Sequence, residues 1–457
     1  MMKEMFIPKF SLPNGFIFHD SYAFFNDKNA FLINKKIGST ILISIDLFQE
    51  ILDKNLSENF QEKLIQRFFG IIDNKILYID ETKEIHPKYF MINVTSKCNL
   101  RCVYCFRKHD NERTITKNEC LKICNFILNY CKKYNINRIS LQPWGGEPLI
   151  AYDRILDIDD FFKNNNLDCQ IYLQTNGTLL SKKKAIELIK RNIHIGFSID
   201  GIKEMNDLQR VFLNGDGTYQ YILKGINNML NSGCNGIGAI SVITSKNIEY
   251  IEQSIIDLIE SIKLKTIKCN PVKLPVDCHV EALSDFQLKE LGANLVRLSI
   301  KLRKEGYDFI ESNVKDRLKN LSCCYRGSIC NSNGCQGGRR MISFDCDGNI
   351  FPCEMVDYPE EIIGTINENI DLIDMISNAV DKNDYFLLKK SDKCNKCPWE
   401  VYCKGGCTTA TKYAGHNPGS IDENECAFNC GIYNELVKQM LENYSEFKIL
   451  MGERRKV

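Results

Sequence analysis

One short loop restricts this chain more than any other feature: Cys98-Asn-Leu-Arg-Cys102-Val-Tyr-Cys105, at the end of the apolar, strand-like run Tyr89 to Val94. Its C-x3-C-x2-C spacing offers three thiolates, with no fourth Cys or His at ligand distance. Closed tetrahedral zinc and iron–sulfur sites take four protein ligands. Three thiolates therefore point to a [4Fe–4S] cluster whose remaining iron is kept for a small-molecule ligand.

The 457 residues suffice for two or three domains with a large core. Twenty-two cysteines far exceed ordinary use. The N-terminus, Met-Met-Lys-Glu-Met-Phe-Ile-Pro, lacks an apolar signal region, and no window approaches a membrane span, so a secreted disulfide framework is not expected. In a reducing cytoplasm, cysteine at this density means metal, and clusters that oxidise readily imply an oxygen-poor host. A net charge of +1 offers no bulk electrostatic pull on nucleic acid or an acidic membrane.

The first ninety residues contain no cysteine. Between Phe16 and Ser44 short β-prone runs alternate with polar turns, predicting a small antiparallel sheet. Asp46 to Lys54 and Glu58 to Phe69 then carry apolar residues at helical spacing, with Ser57 as the N-cap candidate. Strands followed by paired helices predict a winged-helix-like α+β module over residues 1–86.

From residue 87 to 284 strand-like and helix-like segments alternate. Strands are predicted at Tyr89–Thr95, Ile139–Trp144, Gln170–Asn176, His194–Asp200, Gly238–Thr244 and Thr266–Val272, with helices between several of them. Six such strands predict an α/β fold, a partial (β/α)6 barrel with its chemistry at the strands' C-terminal ends. The notable residues fall there. Trp144-Gly145-Gly146-Glu147-Pro148 combines glycines that permit close backbone approach with a carboxylate suited to an ammonium group. Asn176 could serve a ribose or a substrate; in general a short hydroxyl, as on Ser198, suits a sugar edge and a guanidinium, as on Arg210, suits a carboxylate. Asn214-Gly-Asp-Gly-Thr218 lacks the Lys-Ser/Thr of a nucleotide-binding loop and reads as a turn with Thr218 as helix cap. Cys120, Cys124 and Cys131 share one predicted helix and read as core packing, as do Cys169, Cys234, Cys269 and Cys278.

A helical connector is predicted over 285–320, and a Cys-rich segment over 321–457. In the latter, Ile342 to Pro352 reads as a β-hairpin with an Asp-Gly turn, and Cys346 on it as packing. Cys335 and Cys353 precede Cys394-x2-Cys397-x5-Cys403-x3-Cys407, and Cys426 and Cys430 follow.

The three-cysteine loop, the Gly-Gly-Glu-Pro turn and this last cysteine series, in this order, resemble radical S-adenosylmethionine (SAM) enzymes carrying a SPASM domain. The resemblance implies that Cys98, Cys102 and Cys105 hold the cluster that reductively cleaves SAM to a 5′-deoxyadenosyl radical. It assigns Tyr104, Gly145, Gly146, Glu147, Asn176, Ser198, Asp200 and Arg210 to the SAM pocket. It implies two auxiliary [4Fe–4S] clusters, three in all. One uses Cys335, Cys353, Cys407 and an upstream residue, Cys330 being preferred over Cys323 and Cys324. The other uses Cys394, Cys397, Cys403 and a downstream residue, Cys426 being preferred over Cys430.

The N-terminal module looks like those that hold a leader peptide as an added strand. The resemblance thus implies a ribosomally made precursor peptide as partner, reduced ferredoxin or flavodoxin as electron donor, and a thioether cross-link in a Cys-rich peptide as product, as in sactipeptide- and ranthipeptide-forming maturases. The rival family is the anaerobic sulfatase-maturating enzymes, which make formylglycine with an Asp base directly after the Cys equivalent to Cys353. Here that position is Glu354, a candidate base with a longer side chain. A non-catalytic iron–sulfur electron carrier is the reading from another class, and Glu147, Ser198 and Arg210 would be superfluous in it.

Overall fold

The computed structural model describes residues 2–71, 85–107, 112–273, 280–323, 330, 335–356, 359–382, 391–415 and 420–452. The chain begins with β1 (Lys3–Ile7), β2 (Phe10–Ser11), β3 (Ile17–Phe18), β4 (Ser21–Phe25), β5 (Asn29–Asn34) and β6 (Thr40–Ser44). Helices α1 (Ile45–Leu52) and α2 (Glu58–Gln66) and strand β7 (Gly70–Ile71) follow. These strands make two antiparallel sheets, β1-β4-β5-β6 and β2-β3-β7, where the sequence had led us to expect one. Alternate faces of β4 and β5 bury Ala23, Ala30 and Leu32 with Phe48 and Leu64 of the two helices in a core of their own. Ser44 caps α1 by accepting from Leu47 N, whereas Ser57, the expected cap of α2, makes no side-chain cap bond. Its backbone N–H instead donates to Glu50, which draws the turn shut from the preceding helix.

The middle of the chain runs β8 (Tyr89–Thr95), α3 (Lys117–Lys133), β9 (Arg138–Gly145), α4 (Tyr152–Asn164), β10 (Asp168–Thr175), α5 (Lys182–Lys190), β11 (His194–Ser198), α6 (Lys203–Gln209), α7 (Tyr219–Leu230), β12 (Ile237–Ile243), α8 (Ile251–Ile262) and β13 (Leu264–Pro271). Strands β8 to β13 lie side by side in chain order, all parallel, as right-handed crossover connections require. Among the described residues the sheet does not close. Phe90, Ile92, Val94, Leu141, Leu173 and Phe197 face the helices and are fully buried, together with Cys120, Cys124 and Cys131 of α3 and Cys269 of β13. Cys169 and Cys234 are half-buried, and Cys278 lies outside the described residues. The opposite face is polar, with Gln142, Gln174, Ser198 and Lys268 at its half-buried positions.

Helix α4 escapes the sequence reading because its apolar stripe, Ile155, Ile158 and Phe162, is interrupted by Asp159. That buried aspartate is compensated by Arg191 at 2.8 Å and Lys163 at 2.7 Å. Thr218 stands at the N-cap of α7 as expected, but its side chain makes no cap bond. Its hydroxyl donates to Arg210 O at 2.7 Å and accepts from Asn206, tying the Gly-rich turn back to the segment after α6.

The C-terminal part comprises α9 (Asp285–Lys304), β14 (Ile310–Glu311), α10 (Ser312–Cys323), β15 (Met341–Phe344), β16 (Asn349–Phe351), β17 (Gly364–Thr365), α11 (Leu372–Lys382), α12 (Asp392–Asn395), α13 (Glu400–Cys403), α14 (Thr408–Tyr413), α15 (Glu423–Glu442) and α16 (Tyr444–Leu450). The predicted hairpin forms with β15 and β16, and Gly348 supplies the positive φ of its turn. Strand β15 also pairs in parallel with β8, so the hairpin continues the central sheet instead of standing apart. Helix α9 crosses α15 at two glycines, where backbones touch. A Cβ on Gly431 would lie 2.1 Å from Lys289 O, and one on Gly292 2.5 Å from Phe428 O. Replacing Gly431 by Val should force the helices apart, cost about 1–3 kcal/mol and lower the melting temperature of the apoprotein in anaerobic thermal unfolding.

Candidate active site

Two loops at the C-terminal ends of β8 and β9 are stitched together by main-chain bonds. Gly146 N–H donates to Thr95 O and Glu147 N–H to Lys97 O, both at 2.9 Å. No side chain fits between them: a Cβ on Gly145 would lie 1.8 Å from Thr95 O, and one on Gly146 2.3 Å from Lys97 O. The backbone that the two glycines approach so closely is therefore that of the cysteine loop itself, and Gly145 additionally holds φ at +143°.

Glu147 points into the strand ends and is buried. One carboxylate oxygen accepts from Thr175 Oγ1 at 2.6 Å and Leu149 N at 3.0 Å, the other from Asn176 N at 2.8 Å. Burial pushes its pKa up, and these three donors pull against that shift. Asn176 donates from Nδ2 to Asn99 Oδ1 at 3.0 Å, and Asn99 in turn donates to Thr178 Oγ1 at 2.9 Å. The end of β10 thus grips the residue directly after Cys98. Asn99 and Thr178 were not singled out in the sequence, although Asn99 stands inside the motif.

The other side of the cysteine loop zips onto the segment after α6. Arg101 N–H donates to Val211 O and Val103 N–H to Gln209 O, which carries Arg210 to the loop. Arg210 is buried, with Nε 2.9 Å from Asp200 Oδ2 and Nη1 3.9 Å from Cys102 Sγ. Tyr104 donates from its hydroxyl to the same Asp200 oxygen at 2.5 Å and offers its ring to the guanidinium, 5.6 Å away. Val242 N–H completes Asp200 at 2.9 Å. Tyr104, Asp200 and Arg210 therefore form one buried unit behind Cys102. Ser198, half-buried, accepts from Gln174 at 3.1 Å.

Cys98, Cys102 and Cys105 lie within electrostatic reach of one another. Burial raises Cys98 to about 11 and Cys102 to about 12, so the protein alone keeps them as thiols. They become thiolates when a strong cation arrives, which is the chemistry of a cluster iron. Among the described residues no three His, Cys, Asp or Glu side chains converge on a single-ion point. A cubane cluster, being larger than one ion, takes thiolates set farther apart.

Cys330, Cys335, Cys353 and Cys407 likewise influence one another electrostatically, with Glu354 beside them; burial raises the Glu354 carboxyl. In the second group Cys430 touches both Cys397 and Cys426, and Cys403 accepts from Asn429 at 3.4 Å. Cys394 is buried one turn before Cys397, whose N–H it accepts at 3.0 Å. Helical geometry brings Cys426 and Cys430, four residues apart on α15, to the same face, so both reach this group. Cys346 is committed elsewhere, its thiol donating to Asn93 O at 3.2 Å. The side chains of Cys323 and Cys324 lie outside the described residues.

The chain belongs to the radical SAM superfamily, whose family model matches residues 92–258, the stretch that holds all of the loops just described except the C-terminal cysteines. Its members are enzymes, and membership brings SAM and a [4Fe–4S] cluster. An uncharacterized protein of Methanocaldococcus jannaschii is 30% identical over 239 residues, 52% of this chain and 78% of that one. A cysteine-type anaerobic sulfatase-maturating enzyme of Clostridium novyi is 27% identical over 328 residues, 68% of this chain and 85% of the relative. The radical SAM cyclopropyl synthase TigE of Paramaledivibacter caminithermalis is 23% identical over 418 residues, 87% of this chain and 82% of the relative.

Among solved structures, native anSMEcpe with bound AdoMet and Cp18Cys peptide superposes with a TM-score of 0.66 at 19% identity, over 80% of this chain and all of that one. Streptococcus suis SuiB bound to precursor peptide SuiA gives 0.52 at 16% identity, over 92% of this chain and 99% of that one. These likenesses show the fold. No helix among the described residues is long and apolar enough to cross a membrane.

Replacing Arg210 by Met should strand the Asp200 carboxylate in the interior and destabilise the apoprotein by about 3–5 kcal/mol, read by denaturant unfolding. Arg210→Lys, which keeps the charge, should lose less.

Proposed function

We propose that this enzyme modifies a ribosomally made precursor peptide and joins a cysteine sulfur to a carbon of that peptide as a thioether. One observation carries the peptide reading: an antiparallel sheet with an open edge is packed against the cysteine-rich C-terminal part. Strand β1 pairs with β4 alone among the described residues, and Phe6 on it is exposed. A leader strand added to β1 would gain main-chain bonds from that edge and side-chain contacts from Phe6. Docking is through an aromatic stack, Phe24 on Trp399 at 5.1 Å and Trp399 on Tyr433 at 4.8 Å. Tyr402 adds a hydroxyl bond to Gly38 O at 2.5 Å. A peptide held there is kept at a set distance from the strand ends.

Coverage supports the same reading. In sequence the sulfatase-maturating relative matches 68% of this chain and TigE 87%; in structure anSMEcpe covers 80% of it and SuiB 92%. The formylglycine reading is comparably supported, by the sulfatase-maturating relative, by the anSMEcpe fold and by the half-buried carboxyl of Glu354 directly after Cys353.

In this reading Cys98, Cys102 and Cys105 hold the SAM-binding cluster. The backbone of Gly145 and Gly146 shapes the amino end of the pocket. Glu147 and Asn176 hold its wall rigid. Ser198 offers a hydroxyl to a ribose. Asp200 and Tyr104 orient Arg210, whose free nitrogens serve a carboxylate. SAM with its cluster supplies, on one-electron reduction by ferredoxin or flavodoxin, a carbon radical able to take hydrogen from a substrate. The chain's part is to bind, orient and exclude water, with Glu354 as the candidate base. Cys330, Cys335, Cys353 and Cys407 would hold one auxiliary cluster, and Cys394, Cys397, Cys403 and Cys426 the other, in a cytoplasmic protein.

Anaerobic incubation of the reduced holoenzyme with a Cys-rich small peptide encoded beside its gene should remove two hydrogens without forming an aldehyde, read by mass spectrometry. An aldehyde on a sulfatase-derived peptide, with the small peptide untouched, would replace the proposal by formylglycine formation. Phe6→Asp should weaken binding of the unmodified small peptide about tenfold or more in an anaerobic titration. Cys98, Cys102 and Cys105 changed together to Ala should abolish 5′-deoxyadenosine formation.

A further inference from the structure

Two residues past Cys105 stands Arg107, whose guanidinium lies over the ring of Trp144, 4.5 Å from its centre. Trp144 directly precedes Gly145. The pair therefore joins the far end of the cysteine loop to the same strand end that Gly146 and Glu147 join to its beginning. Trp144 is only 8% exposed, and it faces away from the helices. It packs with Met91, Met341, Phe351 and Val356 in an apolar cluster separate from the one that holds Phe90, Ile92 and Leu141, and Cys353 belongs to the same cluster as Trp144. Arg107 thus sits on the platform that links the cysteine loop with β15 and β16.

Arg107 is half-buried, and apart from that ring its guanidinium has no carboxylate partner and no hydrogen bond among the described residues. The other arginines around the loop are committed. Arg101 pairs with Glu112 at 3.1 Å, Arg113 with Glu119 at 2.8 Å and Arg210 with Asp200 at 2.9 Å. Stacking occupies the flat face of a guanidinium, whereas its five N–H groups lie in the plane and point outward, so the contact with Trp144 leaves them available. A cation partly withdrawn from water has lost hydration that no carboxylate of the chain replaces. The buried ring also holds the fork in one place, so little side-chain freedom is lost when an anion arrives. A group fixed in this way suits a planar carboxylate, which takes two parallel N–H bonds from it.

We propose that Arg107 is a specificity residue that binds a carboxylate of the precursor peptide, either its C-terminal group or an acidic side chain, and so seats the peptide between the cysteine loop and β16. The inference rests on the reading above that the substrate is a peptide. Arg210, on the other side of the cysteine loop with Asp200, is left to the cofactor. Two arginines flanking one loop then serve two different carboxylates. In that reading the edge of β1 holds the leader, and Arg107 fixes which residue of the peptide reaches the strand ends.

The test is anaerobic titration of reconstituted holoenzyme with the small Cys-rich peptide encoded beside its gene, in three forms: unchanged, amidated at its C-terminus, and with every Asp and Glu changed to Asn or Gln. Iron content and SAM affinity are measured for each variant. Arg107→Gln should weaken binding of the unchanged peptide about tenfold or more, and Arg107→Lys less, with SAM affinity moving by no more than about twofold. At least one neutralised peptide should bind the wild type as weakly as the unchanged peptide binds Arg107→Gln, and lose nothing further in that variant. Loss with the amidated form assigns the C-terminal carboxylate, and loss with the other form an acidic side chain. Equal binding of all three peptides by the wild type would overturn the assignment, and this arm needs no variant to hold its cluster. So would an equal loss of every form in Arg107→Gln, the mark of a structural role, or a fall in SAM affinity as large as that for the peptide, which would give Arg107 to the cofactor. Wild-type enzyme that binds none of the three would overturn the peptide reading itself, and the assignment with it.

Discussion

The contact on which the rest of the site depends is a main-chain seam. Thr95 and Lys97 carbonyls receive the N–H groups of Gly146 and Glu147, and nothing larger than hydrogen fits at either glycine. This seam sets the height of the cysteine loop above the sheet. Glu147 then locks β10 to β9 from below through Thr175 and Asn176, and Asn176 reaches back to Asn99 in the loop. Two adjacent glycines and a carboxylate thus turn three strand ends into one rigid platform. A metal-ligating loop left on a flexible tether would have to be ordered again at each binding event, at a cost in conformational entropy.

Charge is handled with similar economy on the opposite side of the loop. Asp200 is shared among Tyr104, Arg210 and Val242 N–H, so a buried anion is met by one full cation and two neutral donors. The arrangement keeps Arg210 beside Cys102 without consuming all five of its N–H groups. A guanidinium held in this way is fixed in place, desolvated in part, and still able to donate.

The two ends of the chain meet the central sheet and each other. Strand β15 lengthens the sheet beyond β8, α9 and α15 cross at paired glycines, and Trp399 is sandwiched between Phe24 and Tyr433. A rigid connection of this kind suits an enzyme whose substrate is long. If a peptide is held at β1 while one of its residues reacts at the strand ends, the span between the two must not vary.

Much of this was legible in the chain. Strand period and helix period alternate plainly enough from Tyr89 to Pro271 to specify six parallel strands, because both faces of such a sheet must be filled with apolar or site residues. The three-cysteine loop and the Gly-Gly-Glu turn were visible because their spacing is local. Helix α4 was missed where a buried Asp159 broke the apolar stripe; Ser57 and Thr218 hold the N-cap positions expected of them, but neither side chain makes a cap bond, that of Thr218 being drawn to Arg210 O. The order of the elements and the identity of the metal-binding residue types are properties of the sequence by itself. That Arg210 is paired with Asp200, and that Cys430 touches both Cys397 and Cys426, were decided only by the fold. Each of these joins residues far apart in the chain or rivals on one helix face, and only packing determines which of several chemically equivalent partners comes within reach.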